Sequence, residues 1–191
     1  MNKRQILKKI NTLSNIFISI LSIFPMFIKK ILFSFGNYLP GIVGVYWRYI
    51  TFKSISKDSG VNIYIAKNVY LKNIENIIIG SNVSIHEMCY LDGYGGITIS
   101  DNVSIAHSSS LISFDHTYQD INTPIKYNPS IKKEITIDTD VWIGAGVRIL
   151  GDVTIGTRVI IAAGSVVTKN TEAHSIYGGI PAKKIKNMEM Q

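Results

Sequence analysis

The chain has 191 residues, 46% of them apolar and 17% charged, with a formal net charge of +7 and one cysteine. That length allows one domain with a full core plus an appendage, and the composition excludes a disordered chain. The single Cys89 excludes an intramolecular disulfide and a thiolate metal cluster, and it fits a reducing cytoplasm.

The charge is concentrated at one end. Residues 1–60 hold nine basic residues against Asp58 alone, and the remainder holds 11 basic and 12 acidic residues. The basic residues interleave with Ile, Leu and Phe, which suits an anionic membrane surface better than nucleic acid. Within this region, residues 15–35 read NIFISILSIFPMFIKKILFSF. The apolar run from Ile16 to Ile28 is broken by Pro25 and closed by Lys29 and Lys30, short of the ~20 residues of a spanning helix. No small-residue cleavage site marks it as a secretory signal. Two readings stay open: interfacial helices kinked or separated near Pro25, or a helical hairpin buried against the main domain or a partner subunit.

From residue 79 a six-residue period takes over. Its aliphatic leaders are Ile79, Ile85, Leu91, Ile99, Ile105 and Leu111, then Ile137, Ile143, Ile149, Ile155, Ile161 and Val167. A helix has no such period and a flat sheet alternates strictly. Three short strands per coil, each sending one aliphatic residue inward, do produce it. The expected shape is a triangular prism with eighteen residues per turn, Ile143 over Ile161 and Ile137 over Ile155. Five or six coils at ~4.8 Å spacing make a rod capped at both ends.

The stretches VWIGAGVRILGDVTIG, AAGSVVTKN and GGIPAKKIK resemble the closing coils and C-terminus of the hexapeptide-repeat acyltransferases, with Ile180 where that family usually has Asn. The resemblance covers residues 61–187. The basic apolar leader, DGYGG and DHTY make the chain most similar to the subgroup that O-acetylates bacterial surface polysaccharides. It implies a mostly β fold, a left-handed parallel β-helix over 61–191. An N-terminal helical segment (1–60), an excursion loop (113–134) and a C-terminal cap (171–191) complete it.

The repeat fails between Leu111 and Ile135, and the long loop there carries SFDHTYQD. Moving an acetyl group from a thioester to a hydroxyl needs a base near neutrality, which histidine supplies. The resemblance makes His116 that base. It places an acidic residue ahead of the loop, matched by Asp92, either to orient the imidazole or to hold the acceptor hydroxyl. Asp115 competes for the first role, and Asp92 is otherwise a turn residue before Gly93. His86 matches by spacing a position that binds acceptor in some members. The resemblance places Trp142, expected on an outer face, beside the acyl group, where it would border acceptor and cofactor alike. Backbone N–H groups at Gly144 and Ala145 are candidates for an oxyanion site. The small Ala162 and Ala163 leave room for a pantetheine arm, and Lys169, Lys183 and Lys184 suit the phosphates of coenzyme A. His107 and His174 receive no role.

The implied activity is an acetyl-CoA-dependent O-acetyltransferase acting on a sugar hydroxyl of a surface polysaccharide or its precursor. Transfer is direct in a ternary complex, since no serine lies in a nucleophile elbow. The implied assembly is a homotrimer with sites between subunits, cytoplasmic and peripheral at the membrane, with no nucleic acid and no metal. A xenobiotic (antibiotic) O-acetyltransferase is the nearest rival. A zinc β-helix hydratase needs a close histidine pair, and His86, His107 and His116 do not supply one. A non-catalytic β-helix leaves the interrupted repeat unexplained.

Overall fold

A computed structural model describes residues 11–189, with side chains from Ser14 onward. Lys3, Arg4, Lys8 and Lys9 of the basic leader lie outside the described residues.

The six-residue period builds a three-faced parallel β-helix. The first face stacks Asp58–Ser59, Ile77–Ile79, Ile97–Ile99, Ile135–Ile137 and Val153–Ile155. The second stacks Tyr64–Ile65, Ser84–Ile85, Ser104–Ile105, Trp142–Ile143, Val159–Ile161 and Ser175–Gly179, with Ala182–Asn187 closing it antiparallel. The third stacks Tyr70–Lys72, Tyr90–Asp92, Ser110–Ile112, Arg148–Ile149 and Val166–Val167. Leaders stack in register: Ile65, Ile85, Ile105, Ile143 and Ile161 form one inward ladder, every member fully buried. Each such side chain contributes about 1.5–3 kcal/mol by leaving water. The tight corners need left-handed backbone, which Asn and Asp tolerate. Asn62, Asn82, Asn102 and Asp140 supply it at one edge, and the Asn62 and Asn82 amides hydrogen-bond up that edge.

The expected eighteen-residue turn holds only in the last coils. Ile143 does stack on Ile161 and Ile137 on Ile155. In the earlier coils the pairs Ile65–Ile85, Ile85–Ile105 and Leu71–Leu91 are each twenty apart. The extra residues enter at one corner, between the third and first faces. There the first coil carries a 3₁₀ turn at Ile74–Asn76, the second carries DGYGG and the third carries the long excursion. The first rung begins at Asp58, slightly before residue 61.

Three helices cover the N-terminal end: α1 (Asn11–Ser22), α2 (Met26–Phe35) and α3 (Gly41–Ile55), with Pro25 separating the first two. Helix α3 is the buried one. Its Arg48 is nearly inaccessible, donating through Nε to the Ile65 carbonyl and through Nη1 to the Gly36 carbonyl, so it ties the first coil to the α2–α3 turn. Burial lowers its pKa. Lys29 donates to the Ser54 carbonyl, Lys53 to the Gly60 carbonyl, and Lys30 pairs with Glu75. These cations therefore serve the docking of the cap. The outer side of α1, α2 and the turn between them is nevertheless apolar and exposed at Ile16, Phe17, Ile20, Ile23, Phe27 and Ile31. Among the described residues no helix is long and apolar enough to cross a membrane.

Candidate active site

The excursion is an antiparallel hairpin. Phe114–His116 pairs with Ser130–Lys132, which sets His116 opposite Ser130. His116 is exposed, and its ring meets Phe114 edge-on at 6.0 Å between centroids. The hairpin is rooted in DGYGG beneath it. Ser113 Oγ donates to the Asp92 carbonyl at 2.6 Å and accepts from Gly95 N–H at 2.9 Å. A Cβ at Gly95 would fall 2.0 Å from the Ser113 carbonyl oxygen, so the second coil and the hairpin can approach this closely only through glycine.

Asp92 is buried below this root. Its Oδ1 accepts from Asn73 Nδ2 at 2.7 Å and from Tyr94 N–H at 3.2 Å, and its Oδ2 accepts from Tyr90 Oη at 3.3 Å. Asp115 is exposed; its Oδ1 accepts from the His116 backbone N–H, and its Oδ2 lies 3.8 Å from Lys133 Nζ. Within one chain neither carboxylate hydrogen-bonds the His116 imidazole, so the orienting role expected of Asp92 or Asp115 is not made there. Asp92 organises the corner that carries His116.

The other candidates sit on different edges of the prism. Trp142 is 53% exposed on the second face, in register with Ser104 and Ile160. Two residues on, Gly144 and Ala145 turn the corner to the third face, stacked on Ala162, Ala163 and Gly164. The Gly144 N–H is used in the ladder to Ile161, which removes it as an oxyanion donor. The Ala145 N–H makes no hydrogen bond among the described residues. A Cβ at Gly144 would lie 2.6 Å from Ala163 N, so this corner stays narrow. Ala163, Lys169 and Lys183 are exposed and Ala162 is half-buried. Lys184 is bound to Glu172 at 2.6 Å, whereas Lys169 and Lys183 make no ion pair among the described residues.

His86 turns the same edge in the second coil, half-buried, with its ring 5.8 Å from that of Tyr64 and Nδ1 3.9 Å from Glu87. His107 is exposed one coil later, on that edge, while His116 stands on another. Among the described residues no three His, Cys, Asp or Glu side chains are grouped to hold a metal ion. Cys89 is fully buried, its thiol donates to the Ala106 carbonyl, and burial pushes its pKa up to about 11. Burial therefore favours the thiol over the nucleophilic thiolate at neutral pH.

Asn73, Ser113 and Lys133 were not singled out by sequence. Lys133 joins Asp115 to Asp152 of a later coil, at 3.8 and 3.5 Å. The hydroxyl partner of Gly95 in DGYGG lies eighteen residues away, on Ser113.

The family pattern described as bacterial transferase hexapeptide (six repeats) matches residues 134–169. The galactoside O-acetyltransferase of Escherichia coli K12 is 31% identical over 161 residues, which is 84% of this chain and 77% of that protein. A probable macrolide acetyltransferase of Lysinibacillus sphaericus is 48% identical over 64 residues, 34% of this chain. For two of the curated relatives, the macrolide protein included, the match spans only 27% and 36% of their length. Among solved structures, a hexapeptide-repeat acetyltransferase of Vibrio cholerae complexed with acetyl-coenzyme A superposes with a TM-score of 0.76 at 26% identity, covering 85% of this chain and 86% of the other. With a β-helix of the same architecture and a relative matched across most of both chains, the chain belongs to the hexapeptide-repeat acetyltransferase family.

Proposed function

We propose that the protein is an acetyl-CoA-dependent O-acetyltransferase whose acceptor is a sugar hydroxyl of a surface polysaccharide or its precursor. The observation that carries this is the placement of His116 on an exposed hairpin rooted in the buried Asp92 corner. In the proposed reaction His116 removes the proton as the acceptor oxygen attacks the thioester carbonyl. It returns that proton to the sulfur as the C–S bond breaks, so the enzyme ends unchanged. Asp92 and Ser113 act as positioning residues. Trp142 walls the acyl group, the Ala145 N–H faces the developing oxyanion, Ala162 and Ala163 admit the pantetheine arm, and Lys169 and Lys183 meet the phosphates.

Trp142 stands on the second face and His116 on the hairpin at the corner between the third and first faces, so a single chain does not bring them together. We infer a homotrimer in which the hairpin of one copy reaches the second face of the next, placing the sites between copies. The outward apolar side of α1 and α2, with the basic leader before it, supports peripheral attachment at the inner face of the cytoplasmic membrane. Sedimentation of full-length protein with anionic vesicles tests that attachment, and indifference to vesicles contradicts it.

The function is tested by mass spectrometry of surface glycan with and without the intact gene, together with coenzyme A release by purified protein given that glycan. Loss of acetyl mass and glycan-dependent release are expected; unchanged glycan and no release contradict the reading. The macrolide relative favours a second reading, acetylation of an antibiotic hydroxyl. Release of coenzyme A with macrolides, but not with glycan, selects it.

A further inference from the structure

We propose that the N-terminal part of the third face is a binding strip for an anionic glycan chain, leading several sugar units to His116. The proposal rests on the acetyl-transfer reading for the reaction at its end. Tyr70 and Tyr90 stand in register on successive rungs, and Tyr70 is 63% exposed. Lys72 Nζ lies 5.6 Å from the Tyr90 ring centre. Beyond Tyr90, whose hydroxyl reaches Asp92, the Tyr94 ring carries Lys132 Nζ at 5.6 Å and meets Phe114 at 5.8 Å. Phe114 in turn meets His116. Aromatic residues thus occur on this side from the first coil to the candidate base, with ring contacts from Tyr94 to Phe114 and from Phe114 to His116. A cleft of about 400 Å³ bordered by Tyr38 and Lys67 continues the strip under α2.

Of Tyr70, Tyr90 and Tyr94 only Tyr90 is hydrogen-bonded through its side chain among the described residues, its hydroxyl donating to Asp92. The positions in register with Tyr90 further along the same face are Ser110, Arg148 and Val166, so the aromatic residues of that row lie only on one side of His116. Tyrosine offers a flat apolar face with a polar tip, which lets a sugar ring stack while its hydroxyls stay hydrated. The charge on the strip is positive. Lys72 and Lys132 make no ion pair among the described residues, while the carboxylate of Asp92 is buried and engaged by three donors. Carboxylate or phosphate groups on the glycan would complement them. The rung spacing of ~4.8 Å is comparable with the length of one pyranose unit.

The test uses surface glycan from the producing cell, cut and size-fractionated from single sugars to long oligomers. Each fraction is titrated calorimetrically into full-length protein and assayed for acetyl incorporation. Affinity should rise about tenfold or more from single sugars to oligomers and weaken with salt. In Tyr70→Ala/Lys72→Gln the ratio between long and short fractions should collapse. Affinity that is absent or independent of length in the wild type overturns the strip, as does a ratio undiminished in the double variant. A changed oligomeric mass in that variant also overturns it, by assigning the face to contact between copies. Length-dependent binding without acetyl incorporation keeps the strip and removes the acetyl-transfer reading instead.

Discussion

Asn73 and Asp92 occupy the same corner of successive coils, and the Asn73 side-chain amide donates to Asp92 Oδ1 at 2.7 Å. Tyr94 N–H and Tyr90 Oη complete the carboxylate's partners before any substrate arrives. Asp92→Ala leaves these donors without their acceptor and should cost about 1–3 kcal/mol. Asp92→Asn keeps an acceptor for Asn73 and should recover much of that loss, with stability and activity moving together. Chemical denaturation beside a rate assay checks this. An Asp92→Asn enzyme of wild-type stability but severely reduced turnover would give the carboxylate a direct chemical role.

His116 lies on the exposed hairpin and outside the inward ladders, so its removal should spare the fold. His116→Ala is expected to lower turnover by about 10²–10⁴ with acetyl-CoA affinity nearly unchanged. Steady-state kinetics with a separate binding titration distinguishes the two. Wild-type turnover in the variant would remove His116 from the mechanism.

Trp142 is half exposed and contributes nothing to the inward ladders. Trp142→Ala should change stability by less than about 0.5 kcal/mol while raising KM for acetyl-CoA or lowering the rate. A large fall in Tm with normal kinetics in the surviving protein would make the ring structural.

The Cys89 thiol, raised to about 11 by burial, should resist alkylation in the folded protein at pH 8. Its thiolate fraction there is about 10²–10³ lower than that of a free cysteine. Iodoacetamide labelling followed by mass spectrometry checks this, with denatured protein as the reactive control. Rapid labelling of native protein, or an acetylated Cys89 after mixing with acetyl-CoA, would reopen a covalent route.

The prism was legible because an inward aliphatic residue recurs every six positions, and Ile143 over Ile161 follows from counting alone. The twenty-residue coils were harder to read, since Ile74–Asn76 and DGYGG look like ordinary turns until the stacked rungs place them at one corner. His116 announced itself by interrupting the repeat. The partners of Asp92 did not, because Asn73 and Ser113 are nineteen and twenty-one residues away and meet it only through the winding of the coils. The inward turn of Lys29, Lys30 and Lys53 was equally hidden: sequence reports their charge, and the packing of the α-helical cap decides their direction.

The central claim, a site built around His116 between copies, is tested most directly by mixing two impaired chains at an acetyl-CoA concentration where Trp142→Ala alone is slow. His116→Ala and Trp142→Ala protomers are co-expressed, and the acetyl-transfer rate of the mixed oligomers is measured. If the hairpin of one copy completes the second face of the next, random trimers contain intact sites at about a quarter of their interfaces, and activity returns well above that of either variant alone. A mixed sample no more active than the average of the two variants would place the whole site within one chain and contradict the account.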